Sequence, residues 1–196
     1  MRVHVVHAHP VETSFNRALF HAVVEELERA GHQVDALDLY EEDFPAVMTR
    51  QERLDYHDVP GNLTPLTRPY VDRLRAADGL VVVHPVWNYG YPAILKGYFD
   101  RVFLPGVSFT LESGDRGRIK PGLSNIRRVA FVTTYGGNQL RTWLMGDPPR
   151  RVAMRWGWAT FRTRPSYLAL YDMNNSTPER LTDFLSKVRA QMRVFA

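Results

Sequence analysis

One stretch constrains the fold more than any other: His84-Pro85-Val86-Trp87-Asn88-Tyr89-Gly90-Tyr91-Pro92-Ala93-Ile94-Leu95-Lys96-Gly97-Tyr98-Phe99-Asp100-Arg101-Val102-Phe103. Gly79-Leu80-Val81-Val82-Val83 runs straight into it, and so short and undiluted a β-branched run reads as a strand buried on both faces. Pro85 has no amide hydrogen to donate, so the ladder is expected to stop there. Pro92 is expected in the first turn of a helix, where a missing N–H costs nothing. Leu95, Tyr98, Phe99, Val102 and Phe103 recur at helical spacing and give that helix its buried face. The unit is strand, loop, helix, and its loop holds Trp87, Asn88, Tyr89 and Gly90 between prolines.

The rest of the chain repeats the alternation. A first strand over 3–8 leads through a short loop into a helix over 15–30, with Thr13 or Ser14 as N-cap and Gly31 just past its end. A second strand follows over 33–39. Residues 40–67 are acidic and rich in turn formers, and a loop this long suits a lid, a subunit contact or a cover. A short helix over 69–77 precedes the third strand. Residues 104–125 are irregular, punctuated by Pro105, Gly106, Gly114, Gly117, Pro121 and Gly122, with 107–111 alternating like a hairpin arm. A fourth strand over 128–134 runs into Tyr135-Gly136-Gly137-Asn138. A helix over roughly 149–158, or starting earlier near Leu140, a fifth strand near 162–170 and a terminal helix from Thr177-Pro178 to about Arg193 complete it. Five β–α units in one domain, 1–196, predict an α/β, doubly wound, five-stranded parallel sheet. Its expected order is 2-1-3-4-5, with helices on both faces.

Composition narrows the chemistry. With no cysteine there is no disulfide framework and no thiol chemistry, so redox work needs a borrowed cofactor. No apolar run reaches the roughly 20 residues that cross a bilayer, so stable membrane insertion is not expected, and the cytoplasm is the default location. The net charge of +4 suits phosphorylated cofactors. The basic residues are scattered and no nucleic-acid motif is present, so nucleic acid is not expected as a partner.

In the predicted order the topological switch lies between strands one and three, where open α/β sheets bind ligands. Loop one (9–16), loop three (85–91) and loop four (133–138) should then open onto one crevice. Loop one offers His9, Thr13, Ser14, Asn16 and helix-start amides, which suits a phosphate, although a plain capped helix would look the same. Trp87 and Tyr89 could wall a flat conjugated ligand; two rings packed under a helix is the bland alternative. The loops carry no paired carboxylates and no GxSxG elbow. The acids of receiver domains are missing from the ends of strands one and three. His4, His7 and His9 have no matching acid or Cys cluster, so no metal is expected.

Ala8-His9-Pro10-Val11-Glu12-Thr13-Ser14-Phe15-Asn16, then the 92–103 segment, then Thr133-Thr134-Tyr135-Gly136-Gly137 resemble the flavodoxin-like NAD(P)H:quinone oxidoreductases. The resemblance spans roughly residues 1–193. It implies a flavin, FAD (leaned to) or FMN, with NAD(P)H as co-substrate and a quinone or similar electrophile as acceptor. The flavin's phosphates would sit over His9, Thr13, Ser14, Phe15 and Asn16. Pro85, Val86, Trp87, Asn88 and Tyr89 would line its ring system, and Thr133, Thr134, Gly136 and Gly137 would meet the pyrimidine edge. Backbone donors there would stabilise the anionic reduced form. Trp87, Tyr89 and Tyr135 are the candidates closest to the chemistry. The resemblance also implies a homodimer with the site near the subunit boundary.

The chain departs from that family in three places. Asn88 stands where the well-known quinone reductases have Trp, with Trp87 one position earlier. Gln139 and Met145 replace the Tyr and His of their relay, and Tyr135 is an extra residue before the two glycines. A flavin-binding ancillary subunit, as in potassium efflux systems, is the alternative function. A one-electron flavodoxin carrier, normally acidic, fits this basic chain poorly.

Overall fold

The computed structural model of the protein describes residues 1–111 and 119–195. In chain order the elements are β1 (Arg2–His7), α1 (Phe15–Arg29), β2 (Gln33–Asp38), α2 (Arg50–Leu54), α3 (Arg68–Ala76), β3 (Gly79–Val86), α4 (Ala93–Val102), β4 (Phe109–Leu111), β5 (Ile119–Pro121), β6 (Arg128–Tyr135), α5 (Gln139–Leu144), α6 (Pro148–Phe161), β7 (Ser166–Leu170) and α7 (Pro178–Arg193). Five strands form one parallel sheet in the order β2-β1-β3-β6-β7. Counted within that sheet this is the expected 2-1-3-4-5 arrangement. The expected hairpin arm is β4, which pairs antiparallel with β5 and lies outside the main sheet. Of the predicted breakers there, Gly114 and Gly117 lie outside the described residues.

Side chains alternate along each strand, so successive residues feed two separate cores. Val3, Val5, Val81 and Val83 pack with Leu19, Val23 and Leu27 of α1 and Phe184, Val188 and Met192 of α7. Val6, Leu80, Val82 and Phe131 pack with Leu74 of α3, Leu95 and Tyr98 of α4 and Phe161 of α6. Every residue of β3 is buried, as its undiluted apolar run predicts.

Three expectations are corrected. Pro85 does not end the ladder: β3 continues to Val86, pairing Pro85 with Thr134 and Val86 with Tyr135. The Val83 carbonyl accepts from the Ala8 N–H at 3.1 Å, so Val83 faces β1. Pro85, two residues on, faces the same side, where β1 has already ended, and its missing N–H loses no ladder bond. Pro92 is not the first helical residue but the extended N-cap of α4, with φ −52° and ψ 144°. The helix predicted over 149–158 is α6, the suggested earlier start near Leu140 is a separate helix, α5, divided from it at left-handed Asp147, and β7 starts only at Ser166 because Arg162 ends α6 in the left-handed region at φ 59°.

Residues 40–67 form an anchored cover. Thr49 and Glu52 make a reciprocal capping box at α2. Glu52 also pairs with the buried Arg101 of α4, and Arg101 donates to the Pro45 carbonyl. Phe44 meets the rings of Tyr70 and Tyr98 edge-on. The contact is close enough that Gly97 must be glycine, since a Cβ there would overlap the backbone of Ala46.

The packing of α1 on α7 is held by one buried carboxylate. Glu26, 1% exposed, accepts from Arg29, from Arg189 at 3.2 Å and from Arg193 at 3.0 Å. The Arg193 bond, helped by the other two arginines, draws its pKa from 4.5 down to about 2. A carboxyl depressed in the folded state contributes stability that is present above pH 4.5 and is lost as pH falls through about 2. Urea midpoints measured across that window should therefore fall less steeply for Glu26→Gln than for the wild type. Identical pH slopes would contradict this assignment.

Among the described residues, no helix is long and apolar enough to cross a membrane.

Candidate functional site

The switch point is built by unequal strand lengths. In register, His7 of β1 lies beside Val83 of β3, and β3 and β6 run three residues further. Their overhanging ends open a crevice of about 440 Å³ lined by Val86, Trp87, Asn88, Tyr89, Tyr135, Gly136 and Gly137. Loop one reaches its rim. The His9 ring stands edge-on to Trp87 at 5.8 Å, and buried Asn16 donates from Nδ2 to Thr134 Oγ1 at 3.5 Å. Three strand ends distant in sequence thus meet where the sequence placed them.

Loop three folds as a two-residue turn. The Trp87 N–H donates to the Gly90 carbonyl at 3.2 Å, and the Gly90 N–H returns to the Trp87 carbonyl at 2.9 Å. Asn88 and Tyr89 between them have φ of 49° and 57°. Two left-handed residues make this a type I′ turn. Asparagine takes that conformation readily; a tyrosine there costs about 1–2 kcal/mol. Trp87 is 42% exposed and Tyr89 half-buried, so both rings border open space.

Loop four supplies a flat edge. The Gly137 carbonyl accepts from the Asp172 N–H at 2.9 Å, which fixes the glycine pair against the segment after β7. A Cβ on Gly137 would stand 3.8 Å from both the Tyr89 hydroxyl and Thr142 Oγ1, ordinary contact distances. Space, not strain, is what this glycine provides. Thr133 and Thr134, expected at the same edge, are both buried.

Tyr135, expected beside Trp87 and Tyr89 near the chemistry, borders the crevice but its side chain is buried, 1% exposed, with the hydroxyl turned away. That hydroxyl lies 2.7 Å from Asp147 Oδ1 and 2.6 Å from the Tyr167 hydroxyl. Tyr171 stacks on Tyr135 at 4.6 Å and donates to Asp147 Oδ2 at 3.3 Å. Burial, with the neighbouring phenols and the carboxylate, pushes the hydroxyls of Tyr135 and Tyr167 far above the usual tyrosine range. Tyr135 is therefore locked among its neighbours and does not present its hydroxyl to the crevice. Sequence reasoning missed Asp147, Tyr167 and Tyr171; an aspartate directly before Pro148-Pro149 was the available signal, as a helix start.

Loop one ends at the N-terminus of α1. Ser14, not Thr13, caps α1 by accepting from the Arg17 N–H at 3.1 Å, and the first turn carries no acidic residue. Its positive end is thus left for an external negative charge. His9 Nδ1 accepts from the Val11 N–H at 3.1 Å, which places the ring proton on Nε2. Burial, then the neighbouring His7, lowers the His9 pKa, so the ring is a neutral donor. Phe15 packs its side chain against the α1–α7 core, so only its backbone can meet a ligand in loop one.

Asn16 Oδ1, on the α1 side of the sheet behind the rim, is buried without a partner, as is Thr133 Oγ1 on the opposite face. Each such group costs about 1–3 kcal/mol when left unpaired. An acceptor orphaned behind that rim fits a ligand that brings hydroxyl or imide donors. Among the described residues there is no cluster of three His, Asp or Glu able to hold a metal ion.

A family model described as the flavodoxin-like fold matches residues 1–155. The chain is 32% identical over 138 residues to an uncharacterized NAD(P)H oxidoreductase, YcaK, of Escherichia coli, with 70% of this chain and 66% of that protein covered. It is 33% identical over 163 residues to an FMN-dependent NADH:quinone oxidoreductase of Lachnoclostridium phytofermentans, covering 82% of this chain and 75% of that one. An NAD(P)H:quinone oxidoreductase from Methanothermobacter marburgensis superposes with a TM-score of 0.87 at 23% identity, over 100% of this chain and 99% of the other. That last likeness is one of fold. The chain spans 66% of the length of the Escherichia coli relative and 55% of two further curated relatives.

Proposed function

Because the chain belongs to the flavodoxin-like fold family, we propose that its crevice holds a flavin and that the protein is an NAD(P)H oxidoreductase delivering two electrons to a quinone or a comparable electrophile. The convergence of loops one, three and four on one crevice carries this reading. When bound, the flavin supplies the ring that takes hydride from NAD(P)H and returns it to the acceptor. Overall, NAD(P)H gives up a hydride to become NAD(P)⁺, and that hydride with a proton from solvent converts the quinone to a hydroquinone.

The chain's own residues bind and orient. His9 Nε2, the α1 amides and Asn16 are suited to the phosphate and its chain. Asn88 and the backbone of Gly136 and Gly137 are suited to the polar edge of the ring system. Trp87 walls the stacking face, where close approach of the nicotinamide governs the rate. An FMN-dependent relative supports FMN over the FAD to which the sequence alone leaned. The named relatives are oxidoreductases, which favours turnover over an ancillary subunit.

A homodimer fits the same reading. An aromatic cavity of about 580 Å³, bordered by Tyr91, Phe99, Phe109 and Trp156, lies on one flank. Val152 lines it, and Val152, Leu140, Trp143, Leu144 and Trp158 are all exposed, a large apolar surface for a monomer. Sedimentation at micromolar concentration should give twice the 22.6 kDa chain mass.

The test is anaerobic reduction of the flavin-loaded protein. NADPH or NADH should bleach the visible flavin band, and a quinone should restore it rapidly. Trp87→Ala should slow bleaching by about tenfold to a hundredfold while changing flavin retention far less. Binding without bleaching would favour the ancillary reading, and a wild-type bleaching rate in Trp87→Ala would remove Trp87 from the hydride step.

A further inference from the structure

We infer that Tyr89 is a specificity-determining residue that bars the crevice between loops three and four and admits only thin, planar acceptors. The inference rests on the flavin reading above. Tyr89 sits at the second centre of the type I′ turn with φ 57°, where glycine is the residue the backbone favours. Among the described residues its hydroxyl has no hydrogen-bond partner and its ring stacks on no other. Trp87, by contrast, at least meets the ring of His9. A strained backbone whose side chain gains no hydrogen bond and no ring contact within the chain points to something outside it.

Geometry says what that is. The Tyr89 hydroxyl reaches to within 3.8 Å of where a Cβ on Gly137 would stand, so the side chain spans from one lip of the crevice to the other. The far lip does not yield, because the Gly137 carbonyl is held by the Asp172 N–H at 2.9 Å. The near lip is held by the paired bonds between Trp87 and Gly90. A flat conjugated acceptor can slide beneath a bar of one ring's thickness. One with bulky groups out of its plane cannot.

The experiment compares flavin-loaded wild type, Tyr89→Phe, Tyr89→Gly and Tyr89→Asn. Each is assayed for kcat/KM with unsubstituted naphthoquinone and with di-tert-butyl-benzoquinone, and the ratio is taken within each protein so that acceptor potentials cancel between variants. The ratio should narrow about tenfold or more in Tyr89→Gly and Tyr89→Asn and persist in Tyr89→Phe. Both Gly and Asn accept left-handed backbone, so the unliganded Tyr89→Gly protein should also melt above the wild type. An unchanged ratio in the glycine and asparagine variants overturns the inference and leaves the flavin reading standing. A glycine variant that melts no higher removes the strain on which it rests. A wild type that binds no flavin sinks both.

Discussion

Replacing Gly137 by leucine should abolish the proposed flavin binding while the unliganded protein melts as the wild type does. The backbone at Gly137 is not in the left-handed region, and a Cβ there meets only the Tyr89 hydroxyl and Thr142 Oγ1 at 3.8 Å. The Cβ itself meets no clash and the backbone no strain, so the unliganded protein is expected to keep its stability. The rest of the leucine side chain takes room from a crevice of about 440 Å³, which on the proposed reading the flavin's ring system would occupy. A loss of at least a hundredfold in flavin affinity, about 3 kcal/mol, is expected in equilibrium titration. Wild-type affinity in Gly137→Leu would place the flavin elsewhere, and a lower melting temperature would show that the glycine serves the fold.

The opposite behaviour is expected at Gly97, where one methyl group should cost stability. There the added Cβ overlaps the carbonyl and Cα of Ala46, backbone atoms with nowhere to go. Pushing that segment off α4 also loosens the Arg101 pair with Glu52, the Arg101 bond to Pro45 and the Phe44 ring between Tyr70 and Tyr98. Overpacking of this kind costs about 3 kcal/mol, which for a chain of 196 residues lowers Tm by about 6–12 °C. A scanning calorimetry trace for Gly97→Ala within 1–2 °C of wild type (roughly the margin of a surface substitution) would mean that residues 40–54 are not seated on α4. Together the two glycines separate what the fold needs from what the crevice needs.

The two also show which parts of the molecule could be read in the sequence. The β3 run, the α4 stripe and the Ser14 and Thr177 caps are local signals, and the structure keeps them. The crevice was legible for a related reason: sheet order fixes which loops meet, and order follows from alternation and crossover hand. Residues 40–67 could not be read, because what anchors them is Arg101 and Tyr98, some fifty residues away, and no periodicity encodes that. Pro85 misled because its effect depends on where β1 stops, which is a matter of register rather than of residue type. Tyr135 misled likewise: its position beside the glycines was visible, but the direction of its hydroxyl is set by Asp147 and Tyr167 across the sheet edge.

Calorimetric titration of the unliganded wild-type protein with FMN asks most directly whether the ends of β1, β3 and β6 make a slot for a tricyclic redox ring. The expected result is one FMN per chain with loss of the ligand's fluorescence, and no such uptake by Gly137→Leu. Heat and fluorescence that show neither FMN nor FAD binding to the wild-type chain would contradict the account at its root.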